Sequence, residues 1–174
     1  MSSRLPSREQ AIELLQKNGC PQKVINHCEI VATIALDIAQ KLQNKGLKID
    51  LTLVETGALL HDIGRSKTHD VDHGLVGSQI AQSAGIPQSV VNIIKRHVGG
   101  GITAKEAQEF GWPEDTYTPL TLEEKIVCYA DKLIEKSKRV PIEVEIERLR
   151  RQGFDQAAER IRKLHEEITS ILSS

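Results

Sequence analysis

Three separate stretches of this chain each place an ionisable side chain on an otherwise apolar helical face, and this restricts its possible folds more than any other feature. His27 lies four residues before Val31 and seven before Ile34, so all three share one face of a helix. Asp131 lies four residues after Val127 and three before Ile134, on a face that is otherwise apolar. His61 and Asp62 close the apolar run "LTLVETGALL". Burying a lone carboxylate costs several kcal/mol unless it is paired or binds a metal. Each group has a local alternative, such as Lys125 or Lys132 beside Asp131, or a hydrogen bond within the core for a histidine. One cation shared among the helices relieves all of them together, which requires the helices to converge.

The periodicity predicts an all-α bundle. "SREQAIELLQKNG" carries a capping-box pattern at Ser7 and Gln10, with Gly19 as its stop. A long helix opens at Pro21 and ends at Gly46, and a third runs through "LTLVETGALLHDIG" with His61 and Asp62 in its last turn. "HGLVGSQIAQSAG" and "PQSVVNIIKRHVGGG" give two more, followed by a looser section over about residues 99 to 120 with a short helix at "TAKEAQEFG". Helical period resumes through "TLEEKIVCYADKLIEKSKR", and the tail from Pro141 forms one or two helices with a break near Gly153. No strand or internal repeat is evident.

Composition excludes several functions. With 3% aromatic residues the core must be built from Leu, Ile, Val and Ala, and few rings remain for stacking single-stranded nucleic acid. A net charge of −1 provides no field toward nucleic acid or an anionic membrane. The polar start "MSSRLPSREQ" lacks a secretory signal's apolar stretch, and no run reaches the ~20 apolar residues of a membrane span. Cys20, Cys28 and Cys128 form no Cys-x-x-Cys motif and cannot all pair within one chain, so a reducing cytoplasm is the expected home.

The order His27, then His61–Asp62 in "LLHDIGR", then Asp131 in "YADKL" resembles the HD-domain superfamily of metal-dependent phosphohydrolases over about residues 21 to 138. The resemblance implies an HD-type catalytic domain over 1–140 with an amphipathic helical extension over 141–174. It implies a first metal site of His27, His61, Asp62 and Asp131. In members with two metals, as in HD-type dinucleoside polyphosphate hydrolases, two further histidines join, and His73 and His97 stand at the matching places with Asp62 bridging. The Gly-Tyr-Pro signature of the cyclic-dinucleotide phosphodiesterases is missing, His69 has no counterpart, and His165 is not expected as a ligand.

Histidines and carboxylates without thiolate favour one or two divalent Fe, Mn, Co, Ni or Zn ions. Cys28 and Cys128 are read as core fillers. Two such ions support hydrolysis of a phosphate ester or phosphoanhydride, and the expected partner is a nucleotide or similar small molecule. Asp62 and Arg65 are the candidate catalytic residues, with Arg65, Arg96 and Lys67 as candidate phosphate binders. Arg65 stands where many relatives carry Lys; its planar fork can grip a phosphate with two hydrogen bonds. The segment from Gly99 to Leu120 is a candidate lid or pocket wall, in which Trp112 and Tyr117 either stack on a base or pin the loop. The tail's stripe of Phe154, Ala158, Ile161, Leu164, Ile168 and Ile171 is expected to pack on the core or on a second subunit. Two alternatives keep the same ligands: a di-iron oxygenase similar to myo-inositol oxygenase, and a regulatory ligand-binding domain with a structural metal.

Overall fold

The computed structural model describes residues 4–174, so the first three residues of the polar start lie outside the described residues. Nine α-helices are present among the described residues, and a two-stranded hairpin is the only sheet. No helix among them is long and apolar enough to cross a membrane.

Helix α1 (Arg8–Lys17) starts on the capping box: Ser7 Oγ accepts from the Gln10 amide, and the Ser7 amide donates to Gln10 Oε1 at 2.8 Å. Helix α2 (Gln22–Asn44) is the axis of the bundle. Its face from Val24 through Ile38 to Leu42 is buried against α3 (Leu51–Leu60) and α7 (Leu122–Asp131). Helix α3 is apolar nearly all round and buried from Thr56 to Leu60, as suits a helix inside a bundle. It crosses α5 (Gln88–Lys95) so closely that a Cβ on Gly57 would stand 2.4 Å from Ile93 Cδ1. Helix α4 (His73–Ser83) lies against α5 and against the 3-10 turn Ile63–Ser66.

A second 3-10 turn, Val98–Gly100, follows α5, and the short α6 (Ala104–Glu109) follows with its own capping box at Thr103 and Glu106. Helices α8 (Ile142–Arg151) and α9 (Asp155–Ser173) break where the sequence indicated, with Gly153 at φ 82°. Ala158, Ile161, Leu164 and Ile168 of the tail belong to the same buried cluster as α2 and α7, so this stripe is covered by the chain's own core. Phe154, read as part of that stripe, is 56% exposed, because it precedes α9 on the far side of the turn.

Helical period does not continue beyond Asp131. The chain instead makes β1 (Ile134–Glu135) and β2 (Lys138–Arg139), paired antiparallel across Lys136 and Ser137 at φ 49° and 65°. Neither turn residue is Gly or Asn, and Glu and Lys are strong helix formers, so nothing local marks this turn. The hairpin leaves Lys132 and Leu133 buried directly after α7.

Candidate metal centre

Four helix ends and one helix face meet at the polar cluster. His27 comes from the second turn of α2, Asp131 from the end of α7, and His61 is the C-cap of α3. Asp62 follows at φ −101°, ψ 15°, the sparsely populated bridge region where many active-site residues sit. His73 opens α4, and His97 precedes the second 3-10 turn.

The six residues form two groups that share Asp62. On one side, Asp62 Oδ2 lies 3.5 Å from both His27 Nε2 and His61 Nε2, while Asp131 Oδ1 is 2.9 Å from His27 and 3.3 Å from His61. On the other, Asp62 Oδ1 lies 3.4 Å from His73 Nε2 and 3.3 Å from His97 Nε2. Each carboxylate oxygen of Asp62 thus faces its own pair of histidines.

Three of these rings are oriented by one local device. His61, His73 and His97 each donate from Nδ1 to the carbonyl three residues earlier: Ala58 at 2.6 Å, Asp70 at 2.7 Å and Ile94 at 2.7 Å. A carbonyl only accepts, so the Nδ1 proton is fixed and, in the neutral ring, Nε2 carries its lone pair inward. His73 Nε2 and His97 Nε2 are then 3.1 Å apart with no proton to share. His61 Nε2 is fully buried and has no hydrogen-bond partner. Lone pairs and carboxylate oxygens converging this closely fit a cation on each side of Asp62.

The electrostatics agree. Burial opposes ionisation of Asp62, yet His61, His73 and His97 hold its carboxyl well below the usual carboxylate range. Burial likewise opposes the charge on Asp131, and Lys132 and His61 outweigh it. Burial alone would strip a proton from His61, but Asp62 and Asp131 raise its affinity for positive charge well above an ordinary histidine. His97, with burial dominant, is pushed down to about 4 and stays an unprotonated donor. The thiols do not compete: burial raises Cys20 to about 11 and raises Cys28 and Cys128 as well.

The cluster lies in a cavity of about 870 Å³. Arg65 lines it, with Nε 3.8 Å from Asp62 Oδ1 and Nη1 donating to the His69 carbonyl at 2.6 Å. His69 itself is exposed on the wall. Lys132, read from sequence only as a possible partner of Asp131, holds Asp131 Oδ2 at 2.5 Å and the His97 carbonyl at 3.0 Å. Burial opposes its charge, but Asp131 prevails and holds it up to about 12. Sequence reading missed Phe110, Arg148, Phe154 and Arg160 on the same walls, because they enter from α6, α8 and α9, whose placement no local pattern reveals.

Two candidate phosphate binders stand off the walls of this cavity. Arg96 points away from the cavity, bonding Glu124 Oε1 and Oε2 at 3.0 and 3.1 Å and the Thr116 carbonyl at 3.2 Å. With Glu124 only 4% exposed, Arg96 serves to neutralise a buried carboxylate. Arg96→Ala is expected to cost about 3 kcal/mol in urea denaturation, by leaving that charge unpaired, with metal content unchanged. Lys67 is exposed on the loop outside the cavity. Trp112 and Tyr117 pin the segment: their rings lie 5.2 Å apart in a small cluster with Ile102, and the buried Tyr117 donates its hydroxyl to the Pro113 carbonyl. Ile102, Glu106 and Phe110 of this segment form cavity wall, as expected for the stretch.

The HD domain sequence profile matches residues 24–135. An uncharacterized protein of Methanocaldococcus jannaschii is 44% identical over 166 residues, covering 94% of this chain and 98% of the relative. The tRNA (cytidine(56)-2'-O)-methyltransferase of Thermoplasma volcanium is 39% identical over 168 residues, which span 97% of this chain but only 48% of the methyltransferase. Among solved structures, the HD domain of the L. monocytogenes phosphodiesterase PgpH superposes with a TM-score of 0.57 at 17% identity, covering 94% of this chain and 95% of that domain, a likeness of fold. The profile spans all six converging side chains and most of the chain: this protein belongs to the HD domain family.

Proposed function

We propose that this protein is a metal-dependent phosphohydrolase acting on a nucleotide or similar small phosphate ester. The observation that carries the reading is Asp62, whose two oxygens face separate histidine pairs. Membership of the HD domain family supports hydrolysis in general, and the PgpH HD domain has been crystallised with cyclic-di-AMP. Two divalent ions held by His27, His61, Asp62 and Asp131, and by Asp62, His73 and His97, would lower the pKa of water and neutralise charge on a phosphoryl oxygen. Nitrogen and oxygen donors with protonated thiols suit Fe, Mn, Co, Ni or Zn.

The chain's own residues do the rest. The Nδ1–carbonyl bonds fix three histidine rings, so no ring reorganises during turnover. Lys132 occupies the outer oxygen of Asp131 and leaves the inner one to face His27 and His61. Arg65, beside Asp62 and open to the cavity, grips a phosphate oxygen of the substrate.

The test is phosphate release from nucleotides, dinucleotides and nitrophenyl esters by metal-stripped protein refilled with Mn, Co, Ni or anaerobic Fe. Metal-dependent release supports the reading. Oxygen consumption without phosphate release from any ester would replace it with the oxygenase chemistry. An independent check is thermal unfolding. Refilling at about a hundred times the dissociation constant is expected to raise Tm by about 5–10 °C, and an unchanged Tm would contradict a metal centre.

A further inference from the structure

The two phenylalanines of the chain, Phe110 and Phe154, are 48% and 56% exposed, while Tyr117 and Tyr129 are buried. This reverses the usual order, in which Phe goes inside more readily than Tyr. In a core with so few rings, burying either Phe would stabilise the fold, so their exposure is not a solution to packing. Both line the cavity that holds the His/Asp cluster, although they come from distant segments, the end of α6 and the turn before α9. Val71, 40% exposed, lines it too; among the exposed large apolar residues of the described chain, only Leu120 lies elsewhere.

Phe110 is fixed through its ring and Phe154 through its backbone. Phe110 is followed by Gly111 at φ 74° and rests on the Trp112 ring, 5.1 Å away. Phe154 is preceded by Gly153 at φ 82°, and its amide donates to the Leu149 carbonyl at 2.9 Å. A left-handed glycine beside each phenylalanine reverses the chain there at no steric cost. The cavity is ionic at its His/Asp end, where Arg65 stands, and elsewhere on its walls two flat apolar rings stand among charged side chains such as Glu106, Arg148 and Arg160. Its volume of about 870 Å³ is within the range of small-molecule sites.

We propose that Phe110 and Phe154 take the planar base of a nucleotide whose phosphate lies at the His/Asp cluster, and so set a preference for base-bearing over base-free phosphate esters. This rests on the phosphohydrolase reading above. Phe154 lies outside the residues matched by the HD domain profile, so half of this selectivity comes from the C-terminal helices.

The experiment measures equilibrium binding of AMP and of ribose 5-phosphate to the Mn-loaded full chain. Wild type is compared with Phe110→Ala, Phe154→Ala and the ring-retaining Phe154→Tyr, and phosphate release is followed in parallel. Expected are tighter binding of AMP than of ribose 5-phosphate and a loss of about tenfold in AMP affinity for each alanine variant. Ribose 5-phosphate affinity should not change, and Phe154→Tyr should restore most of the AMP affinity. Equal binding of both probes by wild type, or equal losses for both in the variants, would overturn the proposal. So would a concentration-dependent dimer abolished by Phe154→Ala, since the ring would then face a second copy. Ring-dependent AMP preference without hydrolysis of either probe or of any ester in the panel above would sustain the base site and remove the phosphohydrolase reading.

Discussion

Asp62→Ala is expected to weaken metal binding on both sides of the centre together, most on the His73/His97 side, and to reduce turnover beyond the about 10²–10³-fold that loss of one transition-state hydrogen-bond donor causes. The reason is geometric. Oδ2 of this one carboxylate faces His27 and His61, and Oδ1 faces His73 and His97. Its removal leaves the His73/His97 side with two histidines, fewer than the three protein donors of a catalytic metal site, and strips the other side from four donors to His27, His61 and Asp131. His73→Ala touches only one side and should retain the other, so metal content separates the two variants. The fold should survive in both, because α3 keeps its apolar packing up to Leu60. Elemental analysis of the purified variants together with phosphate release checks this. Turnover within tenfold of wild type in Asp62→Ala would refute the shared-carboxylate arrangement.

Gly64→Ala should do more damage than any other single methyl addition. A Cβ on Gly64 would stand 1.9 Å from the His73 carbonyl oxygen and 2.8 Å from the Gly77 amide, both backbone atoms that cannot rotate aside. Helix α4 would have to move off the turn after Asp62, and His73 would move with it. We expect a loss of about 3 kcal/mol or more in chemical denaturation, with metal affinity reduced on the His73 side first. Gly46→Ala is the comparison. Gly46 meets nothing within 4 Å and carries only the strain of φ 92°, so a similar loss there would show that contact with α4 is not the cause. The glycine of "HDIG" is therefore set by a crossing: only a residue without a side chain lets the two backbones pass at this distance.

Much of this was readable before any coordinates. His27 and Asp131 stand out because they interrupt apolar stripes, and the helical period shows that they face inward. His73 and His97 gave a weaker signal, since a histidine near a helix end has an ordinary role beside the helix dipole, and their place came from resemblance. The hairpin after Asp131 was invisible because Lys and Glu favour the helix it replaces. Arg96 stands off the cavity wall for a reason of helix geometry. Its neighbour in sequence is His97, but one step along a helix turns a side chain by about 100°, and Glu124 waits on that other side. Phe110 and Phe154 lie 44 positions apart and come to line one cavity only through tertiary packing that neither segment encodes alone.

The bonds from His61, His73 and His97 to carbonyls three residues back have a consequence for how the centre comes into being. Each ring is aimed by its own turn of backbone, so its orientation needs no partner from a distant helix. Assembly then brings ready-aimed rings together rather than sorting free ones. A lineage can lengthen or replace the connections between these helices, as long as each short turn is inherited whole, and the donors will still point to the same place.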